Sequence, residues 1–307
     1  MLNYCGKCYL FGGVMFTDIC NELGLPSESV AALEEAYIWL TEDDSVKDLF
    51  AEARETLLTP NEIVFNDVIE RIGKISKIHP LTVNIVLCIS CIEPLKAAVE
   101  AAGKSDKLDI QLGYLKQRFL SCKEECGVWG IHDPFWQWMF HELWCERLGR
   151  LEFEPFYHFS EKTYKGIKKG DPVILIHIPR GKSLEMDEVM ESLAMGYERY
   201  KGRFENEIVP FMTHSWLLYP PFLREVFKKG GNLQKFSELF DIIDQNEAGY
   251  QNFPNVFGCK YPKNGDFSSV PQNTSMQRSM LEFVKRGNIM GEGYGIFFYG
   301  KDGIIKG

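Results

Sequence analysis

Val173-Ile-Leu-Ile-His-Ile-Pro-Arg-Gly-Lys-Ser183 is the segment on which the fold turns. Val173 to Ile178, broken only by His177, is the continuous apolar run of a strand buried on both faces. A short Pro-Arg-Gly-Lys-Ser loop follows. From Asp187 to Tyr200 apolar residues then recur at three- and four-residue intervals, the period of a helix. Backbone N–H groups at a helix start are unpaired, and the helix dipole adds partial positive charge. Arg180 and Lys182 strengthen that field, and Gly181 lets a bulky anion approach the main chain, so the loop reads as a seat for a pyrophosphate. The Gly-x4-Gly-Lys spacing of an ATP-binding loop is absent. The competing reading is an ordinary basic turn with Ser183 as the helix cap.

On both sides of this segment the texture is mixed α and β, reaching back to Gly127. Val128–Ile131 reads as a strand. Pro134–Leu148 reads as a helix, capped by Asp133 and ended by Gly149. Leu151–Phe159 alternates like a half-buried strand. Downstream, Val209–Leu218 and Tyr294–Tyr299 read as strands, and Pro221–Lys229, Leu233–Phe240 and Gln272–Arg286 as helices. Upstream of Gly127 the pattern is helical almost throughout: Glu28–Leu40, Asp44–Leu58, Asn61–Lys77, Leu81–Ala102 and Leu108–Lys123. The sequence therefore predicts two domains, an all-helical one over residues 1–126 and an α/β (α+β) one over 127–307. The second has a mixed sheet with flanking helices.

Charge narrows the function classes. Residues 1–126 hold 12 Lys+Arg against 20 Asp+Glu, and the rest of the chain 22 against 23, for a formal net charge of −9. An acidic chain with no basic stripe is a poor partner for nucleic acid. The longest apolar stretch, Leu81–Ile92, is too short to span a bilayer, which takes about 20 residues. No export signal is legible near Met1, and a soluble cytoplasmic protein is the expectation. Nine cysteines, an odd number, read as reduced thiols. Cys5 with Cys8, and Cys88 with Cys91, have metal-like spacing. Cys88 and Cys91 fall in an apolar run, however, where cysteine acts as a small hydrophobe. Cys122 and Cys126, four apart near a helix end, read as equally ordinary, so no metal is expected.

Four strings occur in a fixed order: Leu-Gly-Arg-Leu-Glu-Phe-Glu at 148–154, His-Ile-Pro-Arg-Gly at 177–181, His-Ser-Trp-Leu-Leu-Tyr-Pro at 214–220 and Pro-Gln-Asn-Thr-Ser-Met-Gln-Arg at 271–278. Together they resemble a bacterial acyltransferase family with a helical amino-terminal acyltransferase domain and a GNAT-like carboxy-terminal domain. The resemblance spans most of residues 127–299. It implies a GNAT-like sheet and acyl transfer from acetyl-CoA or another acyl-CoA, as cosubstrate, to a small acceptor, an amine in the first instance. Val173–Ile178 would be the fourth GNAT strand, whose backbone meets the pantetheine, and Val209–Leu218 the fifth, splayed from it. Ile178, Arg180, Gly181, Lys182 and Ser183 would then hold the donor. The usual loop signature is Arg/Gln-x-x-Gly-x-Gly/Ala, and this chain has Pro-Arg-Gly-Lys-Ser instead. That departure favours the rival reading, a non-catalytic binding module on a degenerate GNAT fold.

In the enzyme reading a base must take the acceptor's proton, a task that suits histidine near neutral pH. His214 is the first candidate and His177 the second. Ser215 could hydrogen-bond the departing thiolate or its own backbone. Glu152 and Glu154, two apart on one strand face, could receive an amine. The bland alternatives are a satisfied core histidine and a solvated pair of carboxylates.

Overall fold

A computed structural model of the chain describes residues 10–11, 14–58, 62–101, 103, 108–132, 134, 145–179, 183–247, 252–258, 261–262 and 264–305. It divides into two compact units, Met1–Trp144 and Cys145–Gly307.

The first unit opens with an antiparallel pair of two-residue strands, β1 (Leu10–Phe11) and β2 (Val14–Met15), which the sequence did not signal. The described helices are α1 (Phe16–Glu22), α2 (Ser27–Glu42), α3 (Lys47–Leu58), α4 (Glu62–Ile75), α5 (Pro80–Ser90), α6 (Ile92–Ala101) and α7 (Leu108–Cys126). Leu33, Leu40, Val68, Ile72, Ile85, Leu87 and Phe119 pack into one core. Helix α5 is buried continuously from Val83 to Ser90, as a helix at the centre of a bundle must be. No single described helix is long and apolar enough to cross a membrane.

Leu81–Ala102 is two helices, not the one expected, bent by 41° at Cys91. Pro94 supplies the reason. Proline has no N–H, and its ring clashes with the carbonyl four residues back, here that of Ser90. That carbonyl accepts a hydrogen bond from Arg54 Nε instead, at 3.2 Å. Val128–Ile131 is likewise not a strand. The segment is bound to α5: Ile131 N–H donates to the Leu81 carbonyl at 3.0 Å, Thr82 Oγ1 to the Trp129 carbonyl at 3.0 Å, and Asn84 Nδ2 to the Ile131 carbonyl at 3.2 Å. These bonds attach the residues just after Gly127 to the helical unit, although their aromatic texture resembles that of the second unit.

The second unit is built on a sheet of order β3-β4-β5-β6-β8-β7, with β9 also on β8. The strands are β3 (Glu146–Leu148), β4 (Leu151–Tyr157), β5 (Pro172–His177), β6 (Val209–Ser215), β7 (Asp241–Asn246), β8 (Glu292–Gly300) and β9 (Gly303–Ile305). Glu146–Leu148 was expected to end a helix. It is instead a strand that folds back on β4 through Gly149, with Glu146 opposite Phe153. The rest of that expected helix, apart from Pro134 and Cys145, lies outside the described residues. All pairings are antiparallel except β5 with β6, and α8 (Met186–Tyr200) makes the crossover that a parallel pair requires. The remaining helices are α9 (Pro220–Glu225), α10 (Asn232–Ser237), α11 (Phe253–Phe257) and α12 (Ser275–Lys285).

One sheet face carries the main core. Phe153, Phe211 and Phe297 from the strands meet Leu193 and Tyr200 of α8, Phe222 of α9, Phe253 of α11 and Leu281 of α12. Each such side chain contributes about 1.5–3 kcal/mol relative to exposure. The other face carries a much smaller cluster of Val173, Leu175, Met212 and Ile296, covered by Phe159, Tyr164 and Ile167 from the β4–β5 connection. Ser160 Oγ donates to Asp244 Oδ2 at 3.0 Å and Tyr164 Oη to Asp241 Oδ2 at 2.5 Å, which ties that connection to β7.

Candidate active site

Backbone pairing between β5 and β6 stops at Ile174–Phe211 and Leu175–Met212, although β5 runs on to His177 and β6 to Ser215. Beyond that point a side chain takes over from the ladder: Thr213 Oγ1 donates to the Ile176 carbonyl at 2.8 Å. Side chains alternate along a strand, so His177 and His214 fall on the same face, each two residues past the last paired residue. It is the face with the small cluster.

His214 Nε2 lies 2.5 Å from Glu292 Oε2. Its ring stacks on Tyr294 at 4.2 Å and 12°, and Phe159 meets it edge-on at 5.9 Å. The His214 side chain is 31% exposed, so it is not a sequestered core histidine. Glu292 also accepts from Asn252 Nδ2 at 2.7 Å, and Asn252 Oδ1 accepts from Asn255 Nδ2 at 2.9 Å. The hydrogen bond from His214 holds the Glu292 carboxyl below the ordinary carboxylate range, outweighing the upward push of burial, and Asn252 helps. A carboxylate on Nε2–H fixes the tautomer in which Nδ1 carries the lone pair, the arrangement of a general base.

His177 Nε2 lies 2.7 Å from Glu154 Oε2. Glu154 and Glu152 are 5% and 1% exposed, so they do not form a solvated strand face. Arg147 stands 4.0 Å from Glu152, and the β4–β5 register sets Glu152 opposite His177. Ser215 Oγ accepts from Leu217 N–H at 3.2 Å and caps the 3-10 turn Trp216–Leu218, where the sequence predicted further strand. Gly293 admits that turn: a Cβ there would sit 2.2 Å from the Leu218 carbonyl oxygen. Gly295 serves the same approach, since a Cβ there would sit 2.4 Å from Leu218 Cδ1.

Ile178 packs, partly buried, against the main core. Arg180, Gly181 and Lys182 lie outside the described residues. Ser183 is not the cap of α8. The helix begins at Met186 with Glu185 as N-cap, and Ser183 Oγ meets Glu185 Oε1 at 2.5 Å. The Ser183 carbonyl accepts from Arg150 Nε at 3.3 Å. Glu185, Asp187 and Glu188 crowd the first turn of α8, so its dipole already faces carboxylates.

Residues 145–297 match the family model of the GNAT-like C-terminal domain. The second unit is a GNAT-like domain. The match ends short of the helical unit. No curated protein matches the chain. Among solved structures, an acyltransferase in complex with decanoyl-CoA superposes with a TM-score of 0.62 at 16% identity, covering 95% of this chain and 90% of that one. Complexes described as acyltransferase with decanoyl-CoA and teicoplanin, and with CoA and 10C-teicoplanin, each give a TM-score of 0.55 at 16% identity. Each covers 92% of this chain and 98% of the other. At such identity the likeness speaks for the fold, here over both units. In this GNAT-like domain β5 and β6, which pair in parallel, are the two strands that the family resemblance set as the fourth and fifth. Glu292, Tyr294 and Asn252 had no signal in the sequence: strand register and the placement of α11 bring them to His214.

Proposed function

We propose that the GNAT-like domain transfers an acyl group from an acyl-CoA to an amine on a small acceptor, by direct attack and without a covalent enzyme intermediate. The observation that carries this reading is the His214–Glu292 pair beside the parting of β5 and β6. The thioester would lie where the ladder stops, with the pantetheine along Ile178. The first turn of α8 is already acidic, so the charge for the pyrophosphate would come from Arg180 and Lys182, with Gly181 and Ser183 alongside. His214 Nδ1 takes the amine proton as the N–C bond forms. The C–S bond then breaks and CoA leaves as thiolate, toward which Ser215 can turn its O–H. Glu154 acts on His177 as a positioning residue. Solved acyltransferases of like fold that hold decanoyl-CoA and CoA support a CoA thioester as donor.

The test joins calorimetry with acetyl-CoA and decanoyl-CoA to a transfer assay on a panel of amines, read as released thiol. Binding weakened by Arg180→Ala and Lys182→Ala is the expected result. His214→Ala should keep donor binding and lose about 10²–10⁴ in transfer rate. No thioester bound at millimolar concentration would overturn the donor site. Wild-type transfer by His214→Ala would remove His214 from the base role.

A further inference from the structure

Cys122 and Cys126 stand four residues apart in the last turn of α7 and so share one face of it. The helix ends at Gly127, whose φ of 71° reverses the chain, a conformation that glycine adopts without strain. The return segment is anchored at several points. Lys123 Nζ donates to the Gly127 carbonyl at 2.9 Å and lies over the Trp129 ring, Trp129 stacks on Phe119 at 5.2 Å, and Ile131 bonds to α5. His132 is thereby carried back beside the helix end. Its Nε2 is 3.5 Å from Cys126 Sγ, and the ligand atoms of Cys122, Cys126 and His132 all lie within 4.8 Å of one another.

The 3.5 Å separation matches an edge of a coordination polyhedron, and the 4.8 Å bound leaves the other edges to close by about 1 Å or less on an ion. Tetrahedral zinc, with Zn–S of about 2.3 Å and Zn–N of about 2.0–2.1 Å, spaces sulfur and nitrogen by about 3.6 Å and two sulfurs by about 3.8 Å. Two thiols and an imidazole suit zinc and exclude the oxygen-seeking magnesium and calcium. We infer that Cys122, Cys126 and His132 form a zinc site, with a fourth position for water or a further group. Cys122 is buried and His132 exposed, so an ion enters from the histidine side. Bound zinc would staple the end of α7 to the segment that pairs with α5, a structural role independent of the GNAT-like domain. Binding must displace the thiol protons, so affinity falls as pH falls.

The experiment is metal content after zinc loading and dialysis of the full chain, with a parallel cobalt titration. Wild type and the Cys5→Ser/Cys8→Ser double variant should each retain about one zinc, and Cys126→Ser and His132→Ala should lose it. His132 is exposed, so its removal does not open the core. The near-ultraviolet thiolate-to-cobalt band should appear in wild type and be lost from Cys126→Ser, which no longer holds the metal. No zinc retained by wild type, or equal zinc in wild type and His132→Ala, would overturn the inference. So would a Cys122–Cys126 disulfide found in the purified protein.

Discussion

The Glu292 carboxyl illustrates how much a single residue owes to neighbours distant in sequence. Its pKa is lowered chiefly by the hydrogen bond from His214. A carboxylate whose folded pKa is lowered contributes stability above its unfolded value, about 4.3, and loses it as pH falls through the folded value. Glu292→Gln should therefore lower the thermal midpoint at neutral pH, and the gap to wild type should close as pH drops below the carboxylate range. Melting curves from pH 7 to pH 3 would check this, and a gap constant over that range would mean that the ionised carboxylate contributes nothing. Histidine at 214 was legible as a candidate base from its residue type, its strand and the family resemblance together. Its carboxylate was not, because diagonal neighbours across β6 and β8 carry no mark in sequence. The cysteines show the converse. Burial pushes the Cys20 thiol up to about 12 and that of Cys91 to about 11, as fits cysteines that pack like small apolar residues.

Elements followed their local chemistry wherever that chemistry was self-contained. Helix α12 starts where Thr274 Oγ1 accepts from Gln277 N–H and Gln277 Oε1 accepts from Thr274 N–H, a reciprocal cap written four residues long. Thr274→Ala removes one half of it and should cost about 1 kcal/mol, read as a lower urea midpoint at unchanged slope. An unchanged midpoint would show that packing of Met280, Leu281 and Phe283 alone holds the helix. Where an element depended on a partner, local reading failed. Glu146–Leu148 has a helix-compatible composition, yet Arg199 of α8 pairs with Glu146 at 2.7 Å and β4 supplies the ladder that makes it a strand. In α5 and α6 the apolar period continues across Cys91, but the missing N–H of Pro94 decides against one helix.

At the scale of the whole molecule the second unit depends on an asymmetric sheet, with a deep helical core on one face and the small, partly open cluster on the other. Phe211 sits at the centre of the deep side, 5.6 Å from both Phe153 and Phe297. Phe211→Ala should destabilise the protein by about 3–5 kcal/mol, measured by denaturant unfolding, because the ring's neighbours are themselves fully packed. A loss below about 1 kcal/mol would mean that the core collapses into the space. Composition, hydrophobic period and turn chemistry were enough to specify a helical unit followed by a mixed-sheet unit, the strand–loop–helix around Val173–Ser183, and two histidines each on a strand; that those strands are neighbours was implied by the family resemblance. The former are properties of windows a few residues long, which a chain expresses wherever it is folded. It took tertiary contacts to put both histidines on one face, to give each a carboxylate, to bury Glu152 and Glu154, and to bring Cys122, Cys126 and His132 together. Register, sheet order and the return after Gly127 place residues far apart in sequence within hydrogen-bond reach, and no local pattern encodes a distance across a sheet.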